Sequence, residues 1–269
     1  MIASAPDYVH GYDARESRRL AEQADALREL VHAGIAYPHG SLVLEIGCGT
    51  AAQTVTLSRN SPGAHMVAVD RCARSLREAQ VNVQTAGCTS IDFQQADIHA
   101  LPFRPASFDH AFGCFVLEHV ARPVDALTSV KRVLRPGATI TLFEGDHGSV
   151  VLDPPSVRAR AAIACQAELQ RRAGGDAMIG RRLAPILAAA GFTSICISPR
   201  VFHVRAGDGD GARSAERAFA PMIESVRERA IAAELIDGAE FDEGMTELRS
   251  TIRSGTLTYT FFKATATCP

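Results

Sequence analysis

The stretch that decides the fold is residues 43–54, VLEIGCGTAAQT. Its first half is an apolar run of strand character, and its second half turns through two glycines into residues that suit a helix. Read from Gly47 it scans as G-x-G-x-x-A; read from Glu45 it scans as E-x-G-x-G. In both readings the glycines allow a tight turn off the strand and a close approach of backbone to ligand. The two readings predict different ligands, so the choice rests on the residues around them.

Outward from this turn the chain alternates between strand and helix. SLVLEIG (41–47) reads as a strand, AAQTVTLSRN (51–60) as a helix and AHMVAVD (64–70) as a second strand. ARSLREAQVNVQTAG (73–87) is a helix closed by glycine, and SIDFQQAD (90–97) a third strand. FDHAFGCFV (108–116), the helix PVDALTSVKRVL (123–134), the turn RPG and the strand ATITLFEG (138–145) continue the rhythm. Such alternation predicts an α/β fold, a Rossmann-like, mostly parallel sheet with helices on both faces.

The rhythm changes after Gly148, which predicts helical insertions that form a cap over the sheet's carboxyl edge. The expected division is a helical lid over 1–36, a core over 37–148, a helical insertion over 149–178, a core helix and strand over 179–204, a second insertion over 205–254 and a last core strand over 255–269. Leu20, Ala24, Leu27 and Val31 recur at helical spacing in the lid.

Composition narrows the partners. The chain has 269 residues, 46% of them hydrophobic, enough for one α/β core with length to spare. A net charge of -2 gives no basic field to draw nucleic acid or an anionic membrane, so the expected partner is a small molecule. No apolar run reaches the ~18 residues of a membrane span, and the seven cysteines lack any C-x-x-C pair. A cytoplasmic protein with reduced thiols and no metal site is the expectation, with a homodimer as the self-assembly considered.

Glu45 discriminates between the ligands. A dinucleotide brings an anionic pyrophosphate to this turn, which a carboxylate repels; S-adenosylmethionine brings an ammonium and a sulfonium, which a carboxylate attracts. Asp70, closing strand two, suits ribose hydroxyls in either class. Asp97 at the end of strand three can accept from an adenine amino group while the Ile98 backbone N–H meets a ring nitrogen; the plainer alternative for Asp97 is a cap of the following turn.

VLEIGCG, VAVD, QADIHALPF, SFDHAFGCFVLEHV and LRPGATITLFEG, in this order and spacing, resemble the successive motifs of class I S-adenosylmethionine-dependent methyltransferases, in the group similar to the ubiquinone and menaquinone biosynthesis enzymes. The resemblance is strong over 41–145. It implies a seven-stranded sheet with an antiparallel last strand, S-adenosyl-L-methionine as cofactor, and a small-molecule methyl acceptor. It also implies a cofactor site of Glu45, Gly47, Gly49, Asp70, Asp97, Ile98 and Phe115. Two positions depart from the pattern: Ala51 replaces a third glycine, and Arg71 follows Asp70 in place of a bulky apolar residue.

Other features weigh less. Tyr259 and Lys263 reproduce the Y-x-x-x-K of short-chain dehydrogenases, but that chemistry needs a helix, where i and i+4 lie about 6 Å apart, whereas a strand separates them by ~13 Å. The DPPS at Asp153 follows the wrong strand for an amino-methylating enzyme and reads as a helix start. His119 and His147 follow strands four and five at the edge where a methyl group would be delivered, near Glu144 and Asp146. These four are the candidates for a base, with His147 leading, its proton affinity raised by the acids. His110, inside strand four, reads as a packed residue. The rival functions are an NAD(P)-dependent oxidoreductase and a non-catalytic binder of the same cofactor.

Overall fold

The computed structural model describes residues 14–269; residues 1–13 of the expected lid lie outside the described residues. Two helices, α1 (Ala14–Ala26) and α2 (Arg28–His32), precede the sheet. Then come β1 (Leu42–Ile46), α3 (Thr54–Asn60), β2 (His65–Asp70), α4 (Ala73–Thr85), β3 (Ile91–Gln95), β4 (Phe108–Cys114) and α5 (Pro123–Val133). The second half holds β5 (Leu134–Asp153), α6 (Val157–Arg172), α7 (Leu183–Ala189), β6 (Thr193–Arg205), α8 (Gly209–Glu224), α9 (Arg227–Ala232), α10 (Gly238–Ser254) and β7 (Thr256–Thr267).

Seven strands form one sheet in the order β3-β2-β1-β4-β5-β7-β6, parallel throughout except for β7, which runs antiparallel to both β5 and β6. β1 sits inside the sheet and is apolar on both faces: Val43, Leu44 and Ile46 are fully buried, each worth ~1.5–3 kcal/mol relative to exposure. Val43, Phe112 and Phe143 join the core under α2, α3, α6, α8, α9 and α10, whereas Leu44, Ile46 and Leu142 join the core under α5 and α7. The strand ends therefore emerge between two layers of helices, with glycine turns at the carboxyl end of β1.

β5 departs from the expected boundary. It does not stop near Gly145 but runs to Asp153, with Val151, Leu152 and Asp153 paired to Thr258, Leu257 and Thr256 of β7. Residues 149–153 are thus strand, not helical insertion. The pairing is interrupted where Asp146 faces Thr260 and Val151 faces Thr258, so residues 147–150 bulge opposite Tyr259 alone. Ser149 spans the bulge: its hydroxyl donates to the Asp146 carbonyl at 2.7 Å and accepts from the Thr260 N–H at 2.9 Å. The insertion helix begins only at α6, capped by the Ser156 hydroxyl, which accepts from the Ala159 N–H. Among the described residues no helix is long and apolar enough to cross a membrane, and no His, Cys, Asp and Glu cluster could hold a metal ion.

Candidate active site

The turn after β1 holds three residues in the left-handed region, Gly47 at φ 66°, Gly49 at 53° and Ala51 at 67°. The two glycines serve different ends. A Cβ on Gly47 would stand 2.4 Å from a Val116 methyl, so this glycine lets the segment after β4 pack onto the turn. A Cβ on Gly49 would meet nothing within 4 Å, so this one borders open space. Asp70 ties the turn to β2: its Oδ2 accepts from the Gly49 N–H at 2.9 Å and its Oδ1 from the Cys72 N–H at 2.8 Å. Burial raises the Asp70 carboxyl above its ordinary value, against these hydrogen bonds.

Glu45 lies at the base of the turn, 2% exposed, and its Oε2 has no hydrogen-bond partner. Burial, with the Asp70 carboxylate adding to it, pushes its pKa up to about 8. A buried acceptor left unpaired is costly, and a cationic donor brought to this turn would satisfy it. The residues present thus fit the ammonium of a methionine-type ligand and do not fit a pyrophosphate. Asp97 is exposed and caps the short turn Ile98–Ala100, its Oδ1 accepting from the His99 N–H at 2.9 Å. The plainer reading of Asp97 is realised, and it leaves Oδ2 for a ligand. Ile98 is half-buried against the second core.

A pocket of about 360 Å³, its mouth included, opens on the segment after β4, whose Val116 packs against this turn. α1 supplies Gln23, the junction of α1 and α2 Leu27, α8 Phe219 and Met222, and β7 Tyr259 and Phe261. The segment after β4 adds Phe115 and Glu118, and the bulge of β5 adds His147. Phe115, expected at the cofactor, lies on this wall, its ring centroid 5.7 Å from that of Phe143 and 5.6 Å from that of Phe261. Its φ of 54° is a strained value for a bulky side chain.

Four expected bases have separate fates. Glu144 is fully buried, and its Oε1 accepts from the Val116 and Leu117 N–H groups at 3.1 and 2.9 Å; it holds the turn Leu117–His119 in place. Burial, then the Glu118 carboxylate, raises it to about 8. Asp146 is gripped by Arg181 in a two-point ion pair of 2.6 and 2.7 Å, which engages both its oxygens. His119 lies with its Nε2 3.4 Å from Glu118 Oε1 and its Nδ1 3.3 Å from Gln170 Nε2. His147 is buried on the pocket wall, its Nε2 4.0 Å from Glu118 Oε2 and its Nδ1 without a partner.

One expectation about His147 needs correction. The acids do not raise its proton affinity: burial outweighs Glu118 and Asp146 and lowers it, so the ring is neutral at neutral pH. Its flanking glycines, Gly145 and Gly148, do not have a positive φ. They make room, because a Cβ on Gly145 would stand 2.2 Å from the Tyr259 hydroxyl and one on Gly148 2.7 Å from Arg181.

Glu118, Gln170 and Phe219 were not singled out from sequence. Glu118 was legible, since it stands in the quoted motif CFVLEHV beside His119; Gln170 and Phe219 carry no local signal. Tyr259 does reach the site, but as a pocket wall on a strand. Lys263, its supposed partner, donates to the Ala33 carbonyl at 3.1 Å. His110 is packed as expected, against Thr139 Oγ1 at 2.8 Å and the Tyr37 ring.

A family described as a methyltransferase domain matches residues 44–142. An uncharacterized 37.1 kDa protein in transposon TN4556 of Streptomyces fradiae is 30% identical over 161 residues, 60% of this chain and 46% of that protein. The ubiquinone biosynthesis O-methyltransferase of Paracidovorax citrulli is 32% identical over 108 residues, 40% of this chain and 44% of that one. The matching stretch thus spans less than half the length of either relative. Among solved structures, the [4+2]-cyclase SpnF superposes with a TM-score of 0.58 at 18% identity, covering 93% of this chain and 81% of that one. Phosphoethanolamine N-methyltransferase 2 of Haemonchus contortus, in complex with S-adenosyl-L-methionine, gives 0.59 at 16% identity, covering 91% and 52%. At such identities the likeness is one of fold.

Proposed function

Residues 44–142 form a class I methyltransferase domain, and from that premise we propose that the protein transfers the methyl group of S-adenosylmethionine to a small organic acceptor. The observation that carries this reading is the unpaired, buried Glu45 Oε2 beside the glycine turn, an acceptor that awaits a cation. Glu45 would take the ammonium, the open side of Gly49 the methionine chain, Asp70 the ribose, and Asp97 with the Ile98 N–H the adenine.

When bound, the cofactor supplies a methyl group already activated on sulfonium. The chain's own work is to align an acceptor and exclude water, which the aromatic pocket under α1 and α8 suits. His147, neutral and on that wall, is the group placed to take a proton from the acceptor. Glu144 and Asp146 leave the list of bases because neither lines the pocket, one holding a turn through Oε1 and the other an arginine; His119 acts from behind Glu118. In the revised division, α1 and α8 cover the acceptor, while α6 braces the site from outside through Gln170. Seven free thiols suit a reducing compartment, and we place the enzyme in the cytoplasm.

Calorimetry with S-adenosylhomocysteine and with NAD tests the cofactor, and transfer of a labelled methyl group tests the reaction. Heat with S-adenosylhomocysteine and none with NAD is expected. The reverse would overturn the reading, and binding without transfer to any acceptor would reduce the protein to a binder.

A further inference from the structure

The pocket over the segment after β4 has an uneven chemistry. Leu27, Phe115, Phe219, Met222 and Phe261 make most of its wall apolar, and the acid and imidazole lie together at one place, Glu118 and His147. Among the described residues no arginine or lysine lines it. An acceptor carrying a carboxylate or phosphate would find no counter-charge there and would meet the Glu118 carboxylate instead.

Glu118 is held with care. Its carbonyl accepts from Gln170 Nε2 at 2.9 Å and from the Asp176 N–H at 2.9 Å. Gly175 lets the chain press against it, since a Cβ there would come within 2.2 Å of that carbonyl oxygen. One carboxylate oxygen faces His119 and the other His147, so the pocket presents to a ligand an imidazole backed by an acid rather than a bare carboxylate. Although burial opposes it, His119, by its charge and its hydrogen bond, holds Glu118 well below the usual carboxylate range. An Nε2–H tautomer of His147 turns its hydrogen to Glu118 and leaves the unpartnered Nδ1 as an acceptor.

We propose that the methyl acceptor is an uncharged, largely apolar molecule with a hydroxyl group, and that Glu118 selects it by orienting His147 toward that hydroxyl and repelling anionic acceptors. The inference rests on the methyl-transfer reading above. The hydroxyl proton passes to His147 Nδ1, the oxygen uses the released pair for the new O–CH3 bond, and the C–S pair stays on the sulfur of the departing S-adenosylhomocysteine. Glu118 touches neither reacting atom; it is a positioning residue that stabilises the imidazolium formed.

The test uses 2-naphthol, 2-naphthoate and 2-naphthylmethylammonium, which share a ring system and differ in charge. The chain has no tryptophan, so naphthyl fluorescence reports binding directly. Full-length protein saturated with S-adenosylhomocysteine is titrated with each, and calorimetry of S-adenosylhomocysteine alone reports the cofactor reading whatever the naphthyl probes do. Wild type should bind 2-naphthol at least about tenfold more tightly than 2-naphthoate, the scale of a like-charge penalty in a desolvated site. Glu118→Gln should narrow that ratio to within about threefold while S-adenosylhomocysteine still binds. Equal binding of naphthol and naphthoate, preference for the ammonium, or no binding of naphthol at millimolar concentration overturns the proposal. The comparison in wild type stands even if the variant does not fold.

Discussion

Glu45, Glu144 and Glu118 are three buried acids within one site, and their partners set them apart. Glu144 spends one oxygen on two backbone N–H groups and leaves the other unpaired, Glu118 faces two imidazoles, and Glu45 keeps an unpaired oxygen at the base of the glycine turn. A base must be both unprotonated and within reach of the acceptor, and His147 alone among the expected candidates is a deprotonated ring on the pocket wall with one nitrogen unpaired. His147→Ala should lower turnover by about 10²–10⁴ with S-adenosylhomocysteine affinity nearly unchanged. Normal turnover in that variant would leave transfer to proximity alone. Asp70→Ala should act differently, since it removes an acceptor for two backbone N–H groups as well as a ligand contact. A loss of about 1–3 kcal/mol in stability is expected beside a loss of about 1.5–3 kcal/mol in cofactor affinity, measured by urea unfolding and calorimetry.

At the scale of elements the glycine turn gives a sharper contrast. Both Gly47 and Gly49 have positive φ, so alanine at either position strains the backbone by roughly 1–2 kcal/mol. Gly47→Ala must also displace Val116 and with it the segment carrying Glu118, and its urea midpoint should fall well below that of Gly49→Ala. Gly49→Ala should fold and lose cofactor, because the open space its methyl enters is the one we propose for the ligand. Equal midpoints would show that Val116 yields freely. The turn and the strands around it were legible because they obey local rules: apolar β1, glycines, and an acid at the end of each of the next two strands. β5 was misjudged because two glycines looked like its end. What extends it is pairing with β7, more than a hundred residues away, and no local periodicity reports that. The same distance hid Glu118's role, since Gln170 holds it from 52 residues downstream.

For the whole molecule, these buried groups predict how stability follows pH. Burial lowers His32, His110 and His147, so below their ordinary pKa of 6.5 these three bind more protons in the unfolded chain and their own share of stability rises with pH. Above 6.5 the histidines are neutral in both states and the raised acids dominate. Glu45 keeps its proton up to about 8 when folded, whereas the unfolded chain has lost it above 4.5. The folded state therefore binds more protons, and the unliganded protein should lose stability from pH 6.5 to 8, Glu45 contributing up to roughly 1.4 kcal/mol per pH unit. Glu144 adds to the same slope, and nothing at the cofactor turn relieves it. Glu45 is different, because a bound ammonium stabilises its charged form and removes its share. Urea unfolding at pH 6.5, 7.2 and 8.0, with and without saturating S-adenosylhomocysteine, should show the ligand's stabilisation growing with pH, on top of any ordinary mass-action gain. In Glu45→Gln that growth should vanish and the unliganded slope should flatten. Parallel curves in the wild type would mean that Glu45 does not meet the ammonium, and the cofactor's polar end would then have to be sought elsewhere on the turn.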